Sequence, residues 1–162
     1  MTSQVLSGQS LGVQAFVALV RAHAATTRRL NTQLTADHAL TINDYEVLLR
    51  LARSDDRRMR RVDLAEQVLL TPSGITRLLD GLERAGYVER GGCESDRRVV
   101  YAVLTDAGVQ KLRDASASHV AQIEAFFGAR FDAAELASVA GLLERLGEAE
   151  PNDVCDQDFP AA

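Results

Sequence analysis

The sequence predicts a mainly α-helical fold that contains one small β-hairpin. Two observations support this fold class. Apolar residues recur at alternating spacings of three and four over most of the chain, which is the period of amphipathic helices. Between residues 87 and 104 the pattern changes, because two β-branched and aromatic runs flank a polar stretch, as expected for a hairpin. The 162 residues are enough for one unit of two small lobes with a buried core.

Composition and cysteine usage narrow the class of protein. Hydrophobic residues make up 46% and charged residues 25% of the chain, as in soluble globular proteins. No apolar run approaches the ~20 residues that span a bilayer, and no signal peptide is recognisable, so we expect a cytoplasmic protein without a membrane partner. Cys93 and Cys155 lie far apart, and neither they nor His38 and His119 have metal-ligand spacing, so no metal or cofactor is expected.

The charge is distributed unevenly along the chain. The net charge of −5 argues against a protein that coats nucleic acid by bulk attraction. Residues 57–98, however, carry nine arginines against seven acidic residues, whereas residues 144–162 carry one arginine against six acidic residues. This distribution fits a sequence-reading protein with a local basic patch.

The N-terminal half of the chain predicts two helices. A long helix runs from Leu11 to Leu34, and its length suggests that it packs along a partner subunit. A second helix begins near Ile42, with Thr41 or Asn43 as its N-cap. The apolar seam of the first helix is formed by Val13, Phe16, Val20, His23, Thr27, Leu30 and Leu34, and the buried stripe of the second by Tyr45, Leu48, Leu49 and Ala52.

The stretch Thr71–Gly86 has the features of a recognition helix. Thr71 can cap it, Pro72 suits its first position, and Gly86 ends it in a left-handed conformation. One side is apolar, whereas the opposite side carries hydroxyl and guanidinium groups of the kind that bind base edges in the DNA major groove. The apolar side comprises Ile75, Leu78, Leu79 and Leu82, and the polar side comprises Ser73, Thr76, Arg77, Asp80 and Arg84.

The neighbours of this helix complete a winged helix-turn-helix pattern. A short helix over residues 62–69, with Leu64, Ala65 and Val68 facing inward, precedes it across a tight connection. A hairpin follows it, and arginines at the hairpin tip suit an adjacent minor groove. The arginine-rich segment at residues 57–61 is either a short strand or a solvated loop, and its arginines are open to a role on the DNA backbone.

Two further helices are predicted after the hairpin. Thr105 caps the first, which runs to about Phe127, and Asp132 caps the second, which Gly147 and Pro151 end. The buried positions of the first are Val109, Leu112, Val120, Ile123, Phe126 and Phe127, and the apolar positions of the second are Leu136, Val139, Ala140, Leu142, Leu143 and Leu146.

Taken together, these motifs resemble the MarR family of bacterial transcriptional regulators. The resemblance is carried by Leu64-Ala65, by residues 76–90 (TRLLDGLERAGYVER), by Asp96-x-Arg98 in the wing, and by Leu104-Thr105 followed by Gly108. It covers residues 62–108 well, and the order of the flanking helices extends it from about residue 11 to residue 147.

The resemblance implies an organisation into lobes. From their composition, we expect residues 1–10 to be a flexible N-terminus and residues 151–162 an acidic disordered tail, with residues 11–150 as a single unit between them. Within the unit, residues 11–41 and 105–148 form a helical dimerisation lobe, and residues 42–104 form the winged helix-turn-helix lobe. A two-fold dimer of this kind binds double-stranded DNA at a pseudo-palindromic operator. Family members typically repress nearby genes, and many release DNA when a small aromatic or anionic effector binds between the lobes.

The resemblance also suggests which residues bind DNA. Arg98 matches the family's wing arginine, Asp96 matches the acid that orients it, and Arg97 is a phosphate contact. Ser73, Thr76 and Arg77 match positions that touch bases or phosphates. Asp80 lies on the same face but is repelled by phosphate, so we expect it to pair with Arg77 or Arg84 along the helix.

Effector residues and alternative functions complete the predictions. His23, with Arg28 and Tyr45, is a candidate to bind a carboxylate between the lobes. A redox response through Cys93 is one alternative, and a winged-helix module that binds protein is another, although the latter predicts an apolar or acidic recognition face. No esterase, metalloprotease or phosphate-loop motif occurs, so an enzyme is not expected.

Overall fold

A computed structural model describes residues 10–92 and 99–147. Residues 1–9, the hairpin tip at 93–98 and residues 148–162 lie outside the described residues. The expectations of a flexible N-terminus and of an acidic disordered tail therefore fall outside them, apart from Ser10. No helix in the described ranges is both long and apolar enough to cross a membrane.

The predicted fold class is confirmed: the protein is mainly helical, with a small sheet. A short 3-10 turn at Asp55–Arg57 separates the second helix from the first strand. In chain order the elements are α1 (Leu11–His38), α2 (Ile42–Arg53), β1 (Arg58–Arg60), α3 (Arg61–Gln67), α4 (Pro72–Arg84), β2 (Val88–Gly92), β3 (Val100–Leu104), α5 (Asp106–Gly128) and α6 (Ala133–Glu144).

Side-chain caps fix the starts of four helices. The side chains of Thr41, Thr71, Thr105 and Asp132 each accept a hydrogen bond from the backbone N–H three residues later. Of the two caps considered for α2, Thr41 is the one used. At the other end of the recognition helix, Gly86 has the predicted left-handed conformation, with a φ of 78°.

The three strands form one antiparallel sheet in the order β1-β3-β2. The predicted hairpin is β2 and β3, in which Val88 lies opposite Leu104 and Gly92 opposite Val100. The arginine-rich segment is a strand and not a loop, because Arg58–Arg60 pair with the other side of β3. The sheet thus forms the base of the wing and connects it to the helices.

The core surrounds α2, which contacts α1, α5 and the sheet. The predicted stripe on α2 is partly wrong, because Val47 and Leu51 are completely buried whereas Leu49 and Ala52 are only partly covered. A helix with neighbours on several sides buries more than one stripe, and the prediction had assumed a single packed face.

Helix α5 is less buried than predicted, and none of the apolar residues of α6 is buried. In α5 only Leu112 of the predicted set is fully buried, and Ala115, Ser116 and His119 share its environment. The remaining apolar positions of α5 are partly covered, and no residue of α6 is buried. The first half of α5 packs on the core around α2, whereas its second half and α6 project beyond that core.

The helix-turn-helix consists of α3 and α4, and its predicted inward residues Leu64, Ala65 and Val68 are buried. On α4, Ile75, Leu79 and Leu82 are buried as predicted, whereas Leu78 is partly covered. The turn between the two helices places Leu69 in a left-handed conformation, and the residue is 91% exposed. A β-carbon disfavours this conformation, so the turn geometry here is imposed by the packing of the two helices.

Candidate nucleic-acid interface

The outer face of α4 presents the three side chains that the sequence placed there. Ser73 and Arg77 are exposed, and Thr76 is partly covered. The Thr76 hydroxyl donates a 2.7 Å hydrogen bond to the carbonyl of Pro72, so its oxygen remains able to accept one. None of the ion pairs within the described ranges involves Arg77. The face therefore offers a guanidinium group and two hydroxyls to a ligand, near the positive end of the helix dipole.

The wing can be followed only to its base. Among the described residues, the pairing of the hairpin extends as far as Gly92 and Val100. Asp96, Arg97 and Arg98, which are the predicted wing contacts, lie outside the described residues, and so does Cys93.

Asp80 has a different partner from the one predicted. Arg77 does not pair with its carboxylate, and Arg84 donates to the Asp80 backbone carbonyl at 3.0 Å. The carboxylate instead accepts a 2.6 Å hydrogen bond from Nη2 of Arg90 on β2, whose Nε donates to Glu83 at 2.7 Å. The prediction was wrong because it considered only neighbours along the helix, whereas the wing brings a closer cation.

The arginine-rich segment is largely engaged within the chain. Arg57 pairs with Asp106 at 2.9 Å, and Arg60 makes two hydrogen bonds to Asp63, at 2.7 and 2.8 Å. The guanidinium of Arg58 lies 5.0 Å from the ring centroid of Tyr101, a cation–π distance. These contacts give the segment a structural role in joining the edge strand to α3, β3 and α5.

The three candidate effector residues do not share one environment. His23 and Arg28 are exposed on α1. Tyr45 is buried on α2, where its hydroxyl and the Ser116 hydroxyl are 3.0 Å apart and its ring lies 4.8 Å from that of His119. The predicted effector site therefore combined one buried residue, Tyr45, with two exposed residues, His23 and Arg28.

His119 is a buried titratable group that the sequence reasoning missed as a candidate. It is 4% exposed, and its Nδ1 has no hydrogen-bond partner among the described residues. Burial lowers the pKa of His119, and the nearby His38, which contacts Ser118 at 2.6 Å, lowers it further. The available signal was its position seven residues after Leu112, on the buried side of α5.

The buried His119 predicts a pH-dependent stability. Because its pKa is lower in the folded protein, the unfolded chain binds a proton that the folded protein does not, and stability is lost as the pH falls below the ordinary histidine value of about 6.5. We expect the free energy of unfolding to fall by at most about 1.4 kcal/mol per pH unit from this group. Urea denaturation between pH 7.5 and 5.5 measures it. His119→Phe, which keeps a ring against Tyr45, should flatten the profile, and an unchanged slope in that variant would contradict the assignment.

Comparison with known proteins decides what kind of protein carries this surface. A model of the MarR family matches residues 40–100. The structure is also similar to that of AbsC, a MarR family transcriptional regulator from Streptomyces coelicolor, with a TM-score of 0.74 and 31% identity over 85% of this chain and 93% of AbsC. The chain belongs to the MarR family of transcriptional regulators. The resemblance stated from the motifs is thereby confirmed, and because family members are transcriptional regulators, so is the expectation that the chain is not an enzyme.

Further relatives of this MarR-family protein include a structure solved with DNA. Sco3205, a MarR family regulator from Streptomyces coelicolor in complex with DNA, matches with a TM-score of 0.75 and 27% identity over 88% of this chain and 89% of Sco3205. The HTH-type transcriptional regulator MhqR of Bacillus subtilis is 28% identical over 67% of this chain and 73% of MhqR. The HTH-type transcriptional repressor YetL of the same organism is 32% identical over 56% of this chain and 54% of YetL.

Proposed function

We propose that this MarR-family protein is a homodimeric repressor that binds a pseudo-palindromic operator and is released by a small aromatic or anionic effector. In this proposal α4 enters the major groove, and the wing enters the flanking minor groove. Residues 42–104 form the DNA-binding lobe, and residues 11–41 and 105–148 form the dimerisation lobe.

The observation that carries the DNA-binding proposal is the outer face of α4. Arg77 is exposed and without an ion pair to the described residues, and the Ser73 and Thr76 hydroxyls precede it along the helix. Arginine forks onto guanine, and hydroxyls bind several bases, so these are the side chains that a base-reading helix needs. The face is neither apolar nor dominated by acidic groups, which disfavours the alternative of a protein-binding winged helix. We assign the wing contacts to Arg97 and Arg98, with Asp96 orienting Arg98.

The dimer is supported by apolar surface on α1 and α6. Both helices expose large apolar side chains in the single chain: Phe16 is 65% exposed and Leu142 is 58% exposed. Large contiguous apolar patches of this kind mark protein interfaces, since soluble monomers rarely expose them. The patch is formed by Phe16 and Leu19 of α1, which line one cleft together with Leu142, Leu143 and Leu146. Further exposed apolar residues in the same parts of the chain are Leu11, Val13, Val20, Phe131 and Val139.

Two-fold symmetry determines the form of the operator. A symmetric dimer presents two copies of α4, so its half-sites should be inverted and separated by about one helical turn, ~34 Å. Repression is proposed because YetL, a relative, is described as a repressor.

The proposed effector is a small aromatic or anionic compound bound between the two lobes. His23 and Arg28 supply exposed side chains that can bind a carboxylate, whereas Tyr45 is buried, with its hydroxyl engaged by Ser116 and its ring against His119. Oxidation of Cys93 in the wing is the alternative trigger. The two triggers are separated by two measurements. An aromatic carboxylate that acts as the effector should raise the melting temperature of the protein, whereas a redox trigger should respond to peroxide treatment instead.

The proposed function is tested by measuring binding to the DNA that adjoins the protein's own gene. We expect specific binding to an inverted repeat, with a slope of log affinity against log salt of about −0.9 per phosphate neutralised. Arg77→Ala and Arg98→Ala should each weaken binding about tenfold or more, since a good bidentate base contact contributes about 1–3 kcal/mol. Arg21→Ala, on the exposed surface of α1, is the control. No preference for any neighbouring duplex, or an affinity insensitive to salt, would refute the proposal.

A further inference from the structure

The base of the wing holds two acidic residues of the recognition helix through a single arginine. Arg90 lies opposite Ala102 in the β2–β3 ladder, so its backbone is fixed by the sheet. Its side chain forks, with Nη2 donating to Asp80 at 2.6 Å and Nε donating to Glu83 at 2.7 Å. Asp80 and Glu83 are three residues apart on α4, so both carboxylates face the same strand. We call this group, Arg90 with Asp80 and Glu83, the wing clamp.

The position of the wing clamp gives it an electrostatic consequence for DNA binding. Asp80 follows Arg77 by three residues and shares the outer side of α4, with its side chain 44% exposed. An uncompensated carboxylate at this place would repel the phosphates that the proposed function brings to α4. Arg90 is fixed within hydrogen-bond distance of both carboxylates, and Arg61 and Thr76 line the same small cleft.

The wing clamp also has a mechanical consequence. The chain between α4 and β2 is a short turn in which the Gly86 N–H donates to the Glu83 carbonyl at 2.9 Å and the Tyr87 N–H donates to the Leu82 carbonyl at 3.0 Å. The two hydrogen bonds of Arg90 add a side-chain connection between helix and strand beyond this turn. Since base readout needs α4 and the wing at a fixed mutual angle, a planar two-donor group is better suited to this task than a flexible point charge.

We propose that Arg90 is a positioning residue for DNA recognition: it neutralises Asp80 and Glu83, fixes the wing relative to α4, and binds no phosphate itself. This inference rests on the proposed function, because it concerns how the same surface meets DNA. Exposed ion pairs contribute little to folding, so the variants that break the wing clamp should remain folded.

The first arm of the test measures the free protein and does not depend on DNA. In Arg90→Gln, we expect amide hydrogen exchange to become faster in β2 and in the C-terminal half of α4, with the exchange of α2 unchanged. Arg50→Gln, which removes a partly covered arginine paired with Glu46 on α2 at 3.7 Å, is the control and should leave β2 and α4 as they are. Unchanged exchange in β2 and α4 of Arg90→Gln would overturn the mechanical part of the inference.

The second arm measures operator affinity. Arg90→Gln should lose about tenfold or more, and Arg90→Lys should lose part of this, because lysine keeps the charge but cannot hold both carboxylates. Adding Asp80→Asn and Glu83→Gln to Arg90→Gln should restore part of the lost affinity, about threefold or more, because the repulsion has been removed although the connection between wing and α4 has not been restored. No recovery in the triple variant would overturn the electrostatic part of the inference, and wild-type affinity for Arg90→Lys would assign Arg90 to a direct phosphate contact and overturn the whole inference. If the wild type binds no duplex, the proposed function fails. Hydrogen exchange of Arg90→Gln would still test whether the wing clamp fixes the wing to α4.

Discussion

Replacing Gly108 with alanine is expected to destabilise the protein by about 2–3 kcal/mol or more. Gly108 lies in the first turn of α5, where a β-carbon would overlap the backbone carbonyl of Tyr87 and come within 2.6 Å of Leu104 Cδ1. The Tyr87 carbonyl cannot easily move, since it accepts a 3.1 Å hydrogen bond from the Thr105 N–H. Inserting extra atoms into a filled site typically lowers the free energy of unfolding by about 1–3 kcal/mol. We expect Gly108→Ala to lie at the upper end of this range, because the added β-carbon meets a backbone carbonyl and not a flexible side chain. The free energy of unfolding from urea or guanidinium denaturation measures it.

A second helical glycine, Gly81, is the control for this prediction. Gly81 lies in the interior of α4, where an added β-carbon would have no neighbouring atom within 4 Å. Gly81→Ala should therefore stabilise the protein by about 0.5–1 kcal/mol through the higher helix propensity of alanine. Opposite signs for the two variants would establish that close packing against Tyr87, and not the loss of glycine as such, accounts for the effect. Stability equal to the wild type in Gly108→Ala would show that α5 does not approach Tyr87 this closely.

Placing a charge in the apolar patch on α1 and α6 is expected to separate the proposed dimer. Phe16→Glu and Leu142→Glu each remove one large apolar side chain, which contributes about 1.5–3 kcal/mol when buried, and introduce a charge that the interface would have to desolvate. In the two-fold dimer each change occurs twice. We expect the mass in solution to fall from that of a dimer to the 17.6 kDa of one chain. Operator affinity should fall about 100-fold or more, because the second half-site no longer binds as part of the same molecule.

Val62→Glu is the matched control for the dimer prediction. Val62 is 61% exposed on α3, outside the patch, so the same type of change should leave the mass of the assembly as in the wild type. Analytical ultracentrifugation of the three variants measures the outcome. A wild-type protein that sediments as a single chain, or patch variants that remain dimeric, would refute the proposed interface.

The features that the sequence predicted correctly are those set by neighbours along the chain. The caps Thr71, Thr105 and Asp132 accept hydrogen bonds from N–H groups three residues away, and the apolar stripe of α4 follows from the helical period. The candidate DNA face was predictable for the same reason, since the direction of each side chain on a helix follows from its position. That the side chains of this face contact DNA remains a prediction. The predicted wing contacts lie outside the described residues.

The predictions that failed concern residues whose partners are remote. The full burial of Val47 and Leu51 depends on α2 having neighbours on several sides, which no single-helix pattern contains. Tyr45 was grouped with surface residues because its partner Ser116 lies 71 positions away.

The amino-acid sequence by itself thus determined the order of the helices, where they begin, and which polar side chains α4 presents. Only the tertiary structure decided that Arg90 holds Asp80 and Glu83, and that His119 is buried against Tyr45. The physical reason is the range of the interactions. Capping and periodicity act within one or two helical turns, whereas ion pairing between elements and desolvation of a side chain depend on how separate elements pack together.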